Sequence, residues 1–229
     1  MQIAEQVVKN GMSAGTAFMD ELTRLVSTEG ITRIIETGTY LGLGTTAAIL
    51  KGIEGHQNRP VSFVSIEVNP YNAETAKRNC KGKPVTILNG LSIPKSLLPK
   101  RDMTFEGFSD DTIVDHFPHN RAELYYKETG YQVPDRQLDL AMLLTSHYPQ
   151  LVVLDSAGHV GTIEFDYFMN MAKGKMFIAL DDTNHIKHSK TVEKIEADHR
   201  FTLTFSTDEK FGSRIYSLQS DRSHKPMDE

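Results

Sequence analysis

The chain has 229 residues, a length that fits one domain, or one domain with a lid. Its 30 acidic and 25 basic residues leave a net charge of −5, which argues against a nucleic-acid binder, and 39% hydrophobic residues argue against disorder over the whole length. A single cysteine, Cys80, excludes an internal disulfide framework and a multi-cysteine zinc site, and it fits a reducing compartment. No apolar run approaches the roughly 18 to 20 residues that span a bilayer. Residues 1–15 carry charges inside any apolar stretch, unlike a signal peptide. The expectation is a cytoplasmic protein with no membrane and no nucleic-acid partner.

Residues 13–28 place Phe18, Leu22, Leu25 and Val26 at helical spacing, and Gly30 stops that helix. A β-branched run at 31–35 then reads as a buried strand. It leads into the string E-T-G-T-Y-L-G-L-G at 36–44, after which 45–51 reads as a helix. The unit recurs. Strand 61–66 ends in Glu67, and helix 71–79 follows with Asn69 as its cap and Pro70 near its first position. Strand 85–88 ends in Asn89-Gly90, strand 151–154 in Asp155, and strand 176–180 in Asp181-Asp182. Continuous apolar strands alternating with helices predict a mostly parallel sheet covered on both faces, a Rossmann-like doubly wound α/β fold of about seven strands. The runs 201–205 and 213–218 alternate around a polar turn at 208–212, which predicts an antiparallel terminal hairpin. Residues 219–229 read as a loose tail.

One stretch breaks the rhythm. The sixty residues 91–150 exceed an ordinary crossover, and after a helix at 139–146 is assigned, 101–136 remains as an insertion. It carries His116, His119, Arg121, Tyr125, Tyr126 and Tyr131, and reads as a lid, as a contact for a homo-oligomer, or as a surface elaboration without a chemical role.

In an open parallel sheet, ligands bind at the carboxyl ends of the strands. Here those ends are Glu36, Glu67, Asn89, Asp155, Asp181 and Asp182, five of the six acidic. Such a cleft is a poor host for phosphate and suits a cation, a polyhydroxyl ligand or a metal ion. Gly38, Gly42 and Gly44 allow a tight turn and close approach of a ligand to backbone, and no Gly-Lys-Ser/Thr follows, so the turn is not a Walker A loop. Glu67 can accept hydrogen bonds from both hydroxyls of a ribose, a device that does not by itself choose a cofactor. The alternative is a surface Glu capping the next helix.

The glycine string fits both the short-chain dehydrogenase turn, T-G-x-x-x-G-x-G, and the first motif of class I S-adenosylmethionine-dependent methyltransferases. No tyrosine has a lysine four residues later, so the dehydrogenase Tyr-x-x-x-Lys pair is absent, and the turn comes later than in those enzymes. The ordered set E-T-G-T-Y-L-G at 36–42, I-E-V-N-P at 66–70, N-G-L-S at 89–92, V-L-D at 153–155 and A-L-D-D at 179–182 resembles the successive motifs of class I methyltransferases. It is most similar to the metal-dependent O-methyltransferases of the catechol type. Its Asp…Asp-Asp pattern is closer to the sugar O-methyltransferases of macrolide and aminocoumarin biosynthesis than to the catechol pattern Asp…Asp-Asn.

The resemblance implies S-adenosylmethionine as cofactor. Glu36, Gly38 and Tyr40 would line its methionine portion, with Glu36 facing the ammonium, Glu67 on the ribose, and Gly90 and Ser92 by the adenine; Gly42 and Asp155 are further cofactor-contact candidates. Gly44 stands where the catechol type has a cofactor-touching Ser, and Thr45 or Thr46 is the candidate substitute. Asp155, Asp181 and Asp182 would hold a divalent cation, with Mg²⁺ the first candidate. Three close carboxylates raise one another's pKa, and a hard cation relieves that repulsion and can activate a substrate hydroxyl. The alternative is that Asp181 and Asp182 cap the helix near Ser189, or shape a loop. Catechol-type enzymes place a Lys three residues after the first metal Asp, where this chain has Gly158. The catalytic candidates are therefore Asp155, His159 and His185, the last also a candidate ligand four residues after Asp181.

The expected function is S-adenosylmethionine-dependent O-methylation, metal-assisted, of a small polyhydroxyl acceptor such as a sugar or glycoside. The alternatives are a nicotinamide-dependent oxidoreductase, resting on the glycine turn and Glu67, and a non-catalytic nucleotide-binding module.

Overall fold

The computed structural model describes residues 15–56, 59–98, 133–156 and 160–219. The elements in order are α1 (Ala17–Thr28), β1 (Arg33–Thr37), α2 (Thr45–Ile53), β2 (Ser62–Glu67), α3 (Pro70–Asn79), β3 (Thr86–Asn89), α4 (Gln137–Leu144), β4 (Leu151–Leu154), α5 (Gly161–Met171), β5 (Met176–Asp181), α6 (Ser189–Glu196), β6 (Phe201–Thr207) and β7 (Ser213–Leu218). The seven strands form one sheet in the order β3-β2-β1-β4-β5-β7-β6. The first five are parallel, and β7 runs antiparallel to both β5 and β6.

The period of two along each strand explains how the chain builds two cores. Ile34, Leu151, Val153, Ala179 and Ile215 face one side, where they pack with Phe18, Leu22 and Val26 of α1, Ile49 of α2 and Ala76 of α3. Their neighbours Ile35, Val152, Leu154, Ile178 and Leu180 face the other side, against Leu138 of α4, Phe165 and Phe168 of α5 and Ile195 of α6. Each fully buried aliphatic or phenyl side chain contributes about 1.5 to 3 kcal/mol. β1 and β4 thus feed helices on opposite faces of the sheet. A crevice opens between their carboxyl ends, the place where open α/β sheets bind ligands.

The elements agree with the sequence expectations in kind and shift at their ends. β1 runs two residues further than its apolar run because Glu36 and Thr37 stay in register with Ser65 and Ile66 of β2. α1 starts at Ala17, where Thr16 caps it by accepting from the Met19 amide at 3.3 Å. The hairpin forms as expected. β7, the inner strand, pairs with β5 through Asp181↔Ser213, and an irregularity between Leu203 and Phe205 lets the Thr204 hydroxyl donate to the Ile215 carbonyl. Pro70 opens α3, and the Asn69 side chain accepts from the Tyr71 amide at 2.9 Å and the Asn72 amide at 3.3 Å. Replacing Asn69 with alanine should cost about 1 kcal/mol, measured as a lower urea midpoint with unchanged slope.

Nearly all of the 101–136 insertion, and residues 220–229, lie outside the described residues, so the lid or oligomer reading and the loose tail concern parts of the chain not described. The insertion's flanks meet: the Leu91 amide donates to the Pro134 carbonyl at 3.1 Å, and the Gln137 amide donates to the Leu91 carbonyl at 2.9 Å. No described helix is long and apolar enough to cross a membrane.

Candidate active site

The crevice is built on Gly38. Its backbone has φ of +81°, and its amide donates to the Ile66 carbonyl at 2.9 Å. A Cβ at this position would lie 2.0 Å from the backbone oxygen of Asp155. Glycine is therefore required twice over, by the left-handed backbone and by the close approach of the turns after β1 and β4. The turn closes through the Gly42 amide on the Thr39 carbonyl at 2.9 Å, with Gly42, φ +72°, packed on Cys80. The Thr39 and Ser65 hydroxyls are hydrogen-bonded to each other.

Glu36 lies wholly beneath this turn. One carboxylate oxygen accepts from the Thr46 and Ser65 hydroxyls, each at 2.6 Å, and the other has no partner among the described residues. Burial pushes its pKa up, against the pull of those hydroxyls. Thr46, considered above as a cofactor contact, instead holds Glu36, and Thr45 is buried at the start of α2. Tyr40 has φ of +50° and an exposed side chain. Glu67 grips the turn from β2: its carboxylate accepts from the Tyr40 amide at 2.6 Å and the Asn69 amide at 2.9 Å. Next to it, the Asn89 side chain donates to the Glu67 carbonyl at 2.9 Å, and the Gly90 amide donates to the same carbonyl at 3.0 Å. Gly90 faces the Gln137 side chain, and Ser92 is buried. Glu36, Glu67 and the glycine turn thus share one end of the sheet.

On the other side of the crevice, Asp155, Asp181 and Asp182 converge. Each offers an oxygen within 4.8 Å of the others. β4 and β5 are neighbours, so the ends of their runs necessarily meet. The centre of this cluster is held by Lys187. Its Nζ lies 2.7 Å from a carboxylate oxygen of Asp155, 2.7 Å from one of Asp182 and 3.9 Å from one of Asp181. Asp181 also accepts from the Ser213 hydroxyl at 2.8 Å. The Lys187 side chain is 7% exposed, against 15% for Asp155 and 22% for Asp182. Burial alone would strip its proton, but Asp155, Asp182 and Asp181 hold the amine protonated, above the ordinary lysine value. Burial and the neighbouring carboxylates raise Asp155 well above the usual range despite Lys187, and burial likewise raises Asp181. Burial would raise Asp182 too, but Lys187 outweighs it and the net shift is downward. The oxygens alone meet a hard cation's need for converging carboxylates. The space between them does not, because a divalent ion on those oxygens would stand against an ammonium. The donor set fits the chain's own lysine.

Sequence reasoning did not name Lys187, although it lies in the D-D-T-N-H-I-K-H string at 181–188. The available clue was a lysine a few residues past the end of β5, in a chain with Gly at 158. Nor did it name Glu164, on α5. Fully buried, this carboxylate accepts from Thr37 at 2.9 Å and Ser156 at 2.7 Å, tying the ends of β1 and β4 together. Its place four residues before Phe168, on the buried face of α5, was the available clue. Of the catalytic candidates, His159 lies outside the described residues. His185 is buried, its ring 5.5 Å from that of Phe211, and its Nδ1 accepts from the Lys187 amide at 3.4 Å. Asp181 and Asp182 do not cap α6; His188 precedes it, with no side-chain cap.

No model of a known protein family matches the sequence, and no curated protein matches it. Solved structures do match. An O-methyltransferase from Bacillus cereus, in complex with SAH, is 14% identical with a TM-score of 0.59, over 95% of this chain and 88% of its own. TomG from Streptomyces achromogenes, an O-methyltransferase of tomaymycin synthesis in complex with SAM, is 12% identical with a TM-score of 0.59, over 96% of this chain and 87% of its own. The fold is that of the S-adenosylmethionine-dependent O-methyltransferases. A methyltransferase from Geobacter sulfurreducens is also similar, at 10% identity and a TM-score of 0.55, over 96% of this chain and 86% of its own.

Proposed function

We propose that this protein transfers a methyl group from S-adenosylmethionine to a hydroxyl oxygen of a small polyhydroxyl acceptor such as a sugar or glycoside. The observation that carries the reading is the pairing of Glu67 with the Gly38 turn at the switch point of a methyltransferase fold. A carboxylate at the end of β2 accepts from a ribose, and a turn without a Cβ at Gly38 admits the donor close to backbone. The acidic crevice favours a donor that carries a positive sulfonium. Carboxylates on the Asp155 side accept hydrogen bonds, which favours an acceptor rich in hydroxyls. The acceptor oxygen forms its bond to the methyl carbon as the S–CH₃ bond breaks. That bonding pair returns to sulfur, giving a neutral thioether, and the hydroxyl proton leaves to water. The rate comes mainly from alignment and from charge arranged around the oxygen. Lys187 stands where a metal ion would sit among the three aspartates.

Titration calorimetry with S-adenosylhomocysteine tests the reading. One site per chain is expected, and Glu67→Ala should weaken it by roughly tenfold or more, the loss of a charge-assisted hydrogen bond pair. No binding of S-adenosylmethionine or S-adenosylhomocysteine at millimolar concentration would overturn it. A change in NADH fluorescence on mixing would favour the oxidoreductase instead.

A further inference from the structure

We propose that the Lys187 ammonium takes the place of a divalent cation in the Asp155, Asp181 and Asp182 cluster and polarises the acceptor oxygen, so that the reaction needs no added metal. The second half of this inference rests on the methyltransferase reading; the first does not.

Three carboxylates within 4.8 Å of one another repel, and a cation among them relieves that repulsion. Lys187 already supplies one, at 2.7 Å from two of them. Its position is fixed from both sides. The Lys187 amide donates to His185, whose ring packs on Phe211. On the following residue, the His188 ring bonds the Leu154 carbonyl at 3.0 Å and the Thr191 hydroxyl at 3.2 Å. The Lys187 carbonyl fits against Gly161, where a Cβ would approach it to 2.2 Å. An ammonium has three N–H groups. Two face Asp155 and Asp182, and Asp181 at 3.9 Å is beyond hydrogen-bond reach of the third. That third donor suits an acceptor oxygen entering beside Asp182, the most open of the three aspartates. A hydrogen bond from a cation favours the ionised form of a hydroxyl, which is what a metal ion would do there.

The test uses the full chain and Mn²⁺ as the probe, read by electron paramagnetic resonance and by thermal melting. The wild type should bind no Mn²⁺ below millimolar concentration, and its melting temperature should not change with 5 mM Mn²⁺ or with EDTA, amounts chosen to saturate roughly any micromolar site. Lys187→Met should gain Mn²⁺ binding by about tenfold or more, because removing the ammonium leaves the carboxylates uncompensated. Lys187→Arg, which keeps the charge, should stay blind to Mn²⁺. Stoichiometric Mn²⁺ binding to the wild type overturns the proposal, as does a folded Lys187→Met chain with no gain. If Lys187→Met fails to fold, the wild-type measurement decides alone. Calorimetry with S-adenosylhomocysteine is scored separately: its failure removes the methyltransferase reading and leaves the Mn²⁺ result standing.

Discussion

A Gly38→Ala chain is expected to melt well below the wild type and to lose S-adenosylhomocysteine binding. Two costs add at this position. The left-handed backbone, φ +81°, costs a non-glycine residue about 1 to 2 kcal/mol. The new methyl would also stand 2.0 Å from the Asp155 oxygen and 2.5 Å from its carbonyl carbon. Neither is a side-chain end that can swing away, so the turns after β1 and β4 must separate, a cost of about 1 to 3 kcal/mol. Together these are about 3 kcal/mol, or a fall in melting temperature of roughly 6 to 12 °C for a chain of this size. Gly82→Ala is the control. It has φ of +78° with nothing near its missing Cβ, so only the backbone cost applies. Equal melting of Gly38→Ala and Gly82→Ala would show that the contact with Asp155 is not made.

The second large effect is a loss of stability on mild acidification that His188→Gln removes. His188 is buried with both ring nitrogens engaged, facing Lys187, Asp182 and His185. Burial, with Lys187 adding to it, lowers its pKa to about 3. In the unfolded chain the ring takes its proton near 6.5. Between those values the unfolded state binds the extra proton, so the stabilisation is full above about pH 6.5 and falls as the pH drops toward 3. From pH 8 to pH 5 the wild type should lose about 2 kcal/mol that His188→Gln does not, measured by urea denaturation at each pH. Glu36, Glu164, Asp155 and Asp181, whose raised pKa values act in the opposite direction, are common to both chains and enter the comparison equally. Parallel curves for the two chains would mean that His188 is not held neutral.

The sheet was legible because its signals are local. The apolar runs 151–154 and 176–180 name their own strands, and acidic residues at their ends mark the crevice. The convergence of Asp155, Asp181 and Asp182 followed once β4 and β5 were taken as neighbours. The cation among them was not legible, because nothing in the spacing of the 181–188 string tells which way a loop lysine turns. That direction is set by packing distant in sequence, at Gly161, Phe211 and Leu154. Glu164 escaped for a related reason: its partners Thr37 and Ser156 come from two other segments, and only the assembled helix brings them to it. Helix starts were read to within a few residues because caps such as Asn69 act over three positions.

The strand order has a consequence for synthesis. β7 lies between β5 and β6 in the sheet. While the ribosome has yet to release residues 213–218, β5 presents an unpaired apolar border and Asp181 lacks its Ser213 donor. Such a border is a template for unwanted pairing with another nascent chain. The aspartate cluster therefore reaches its final arrangement only after that strand has slotted in, and a chain arrested before Ser213 should be sticky as well as inactive.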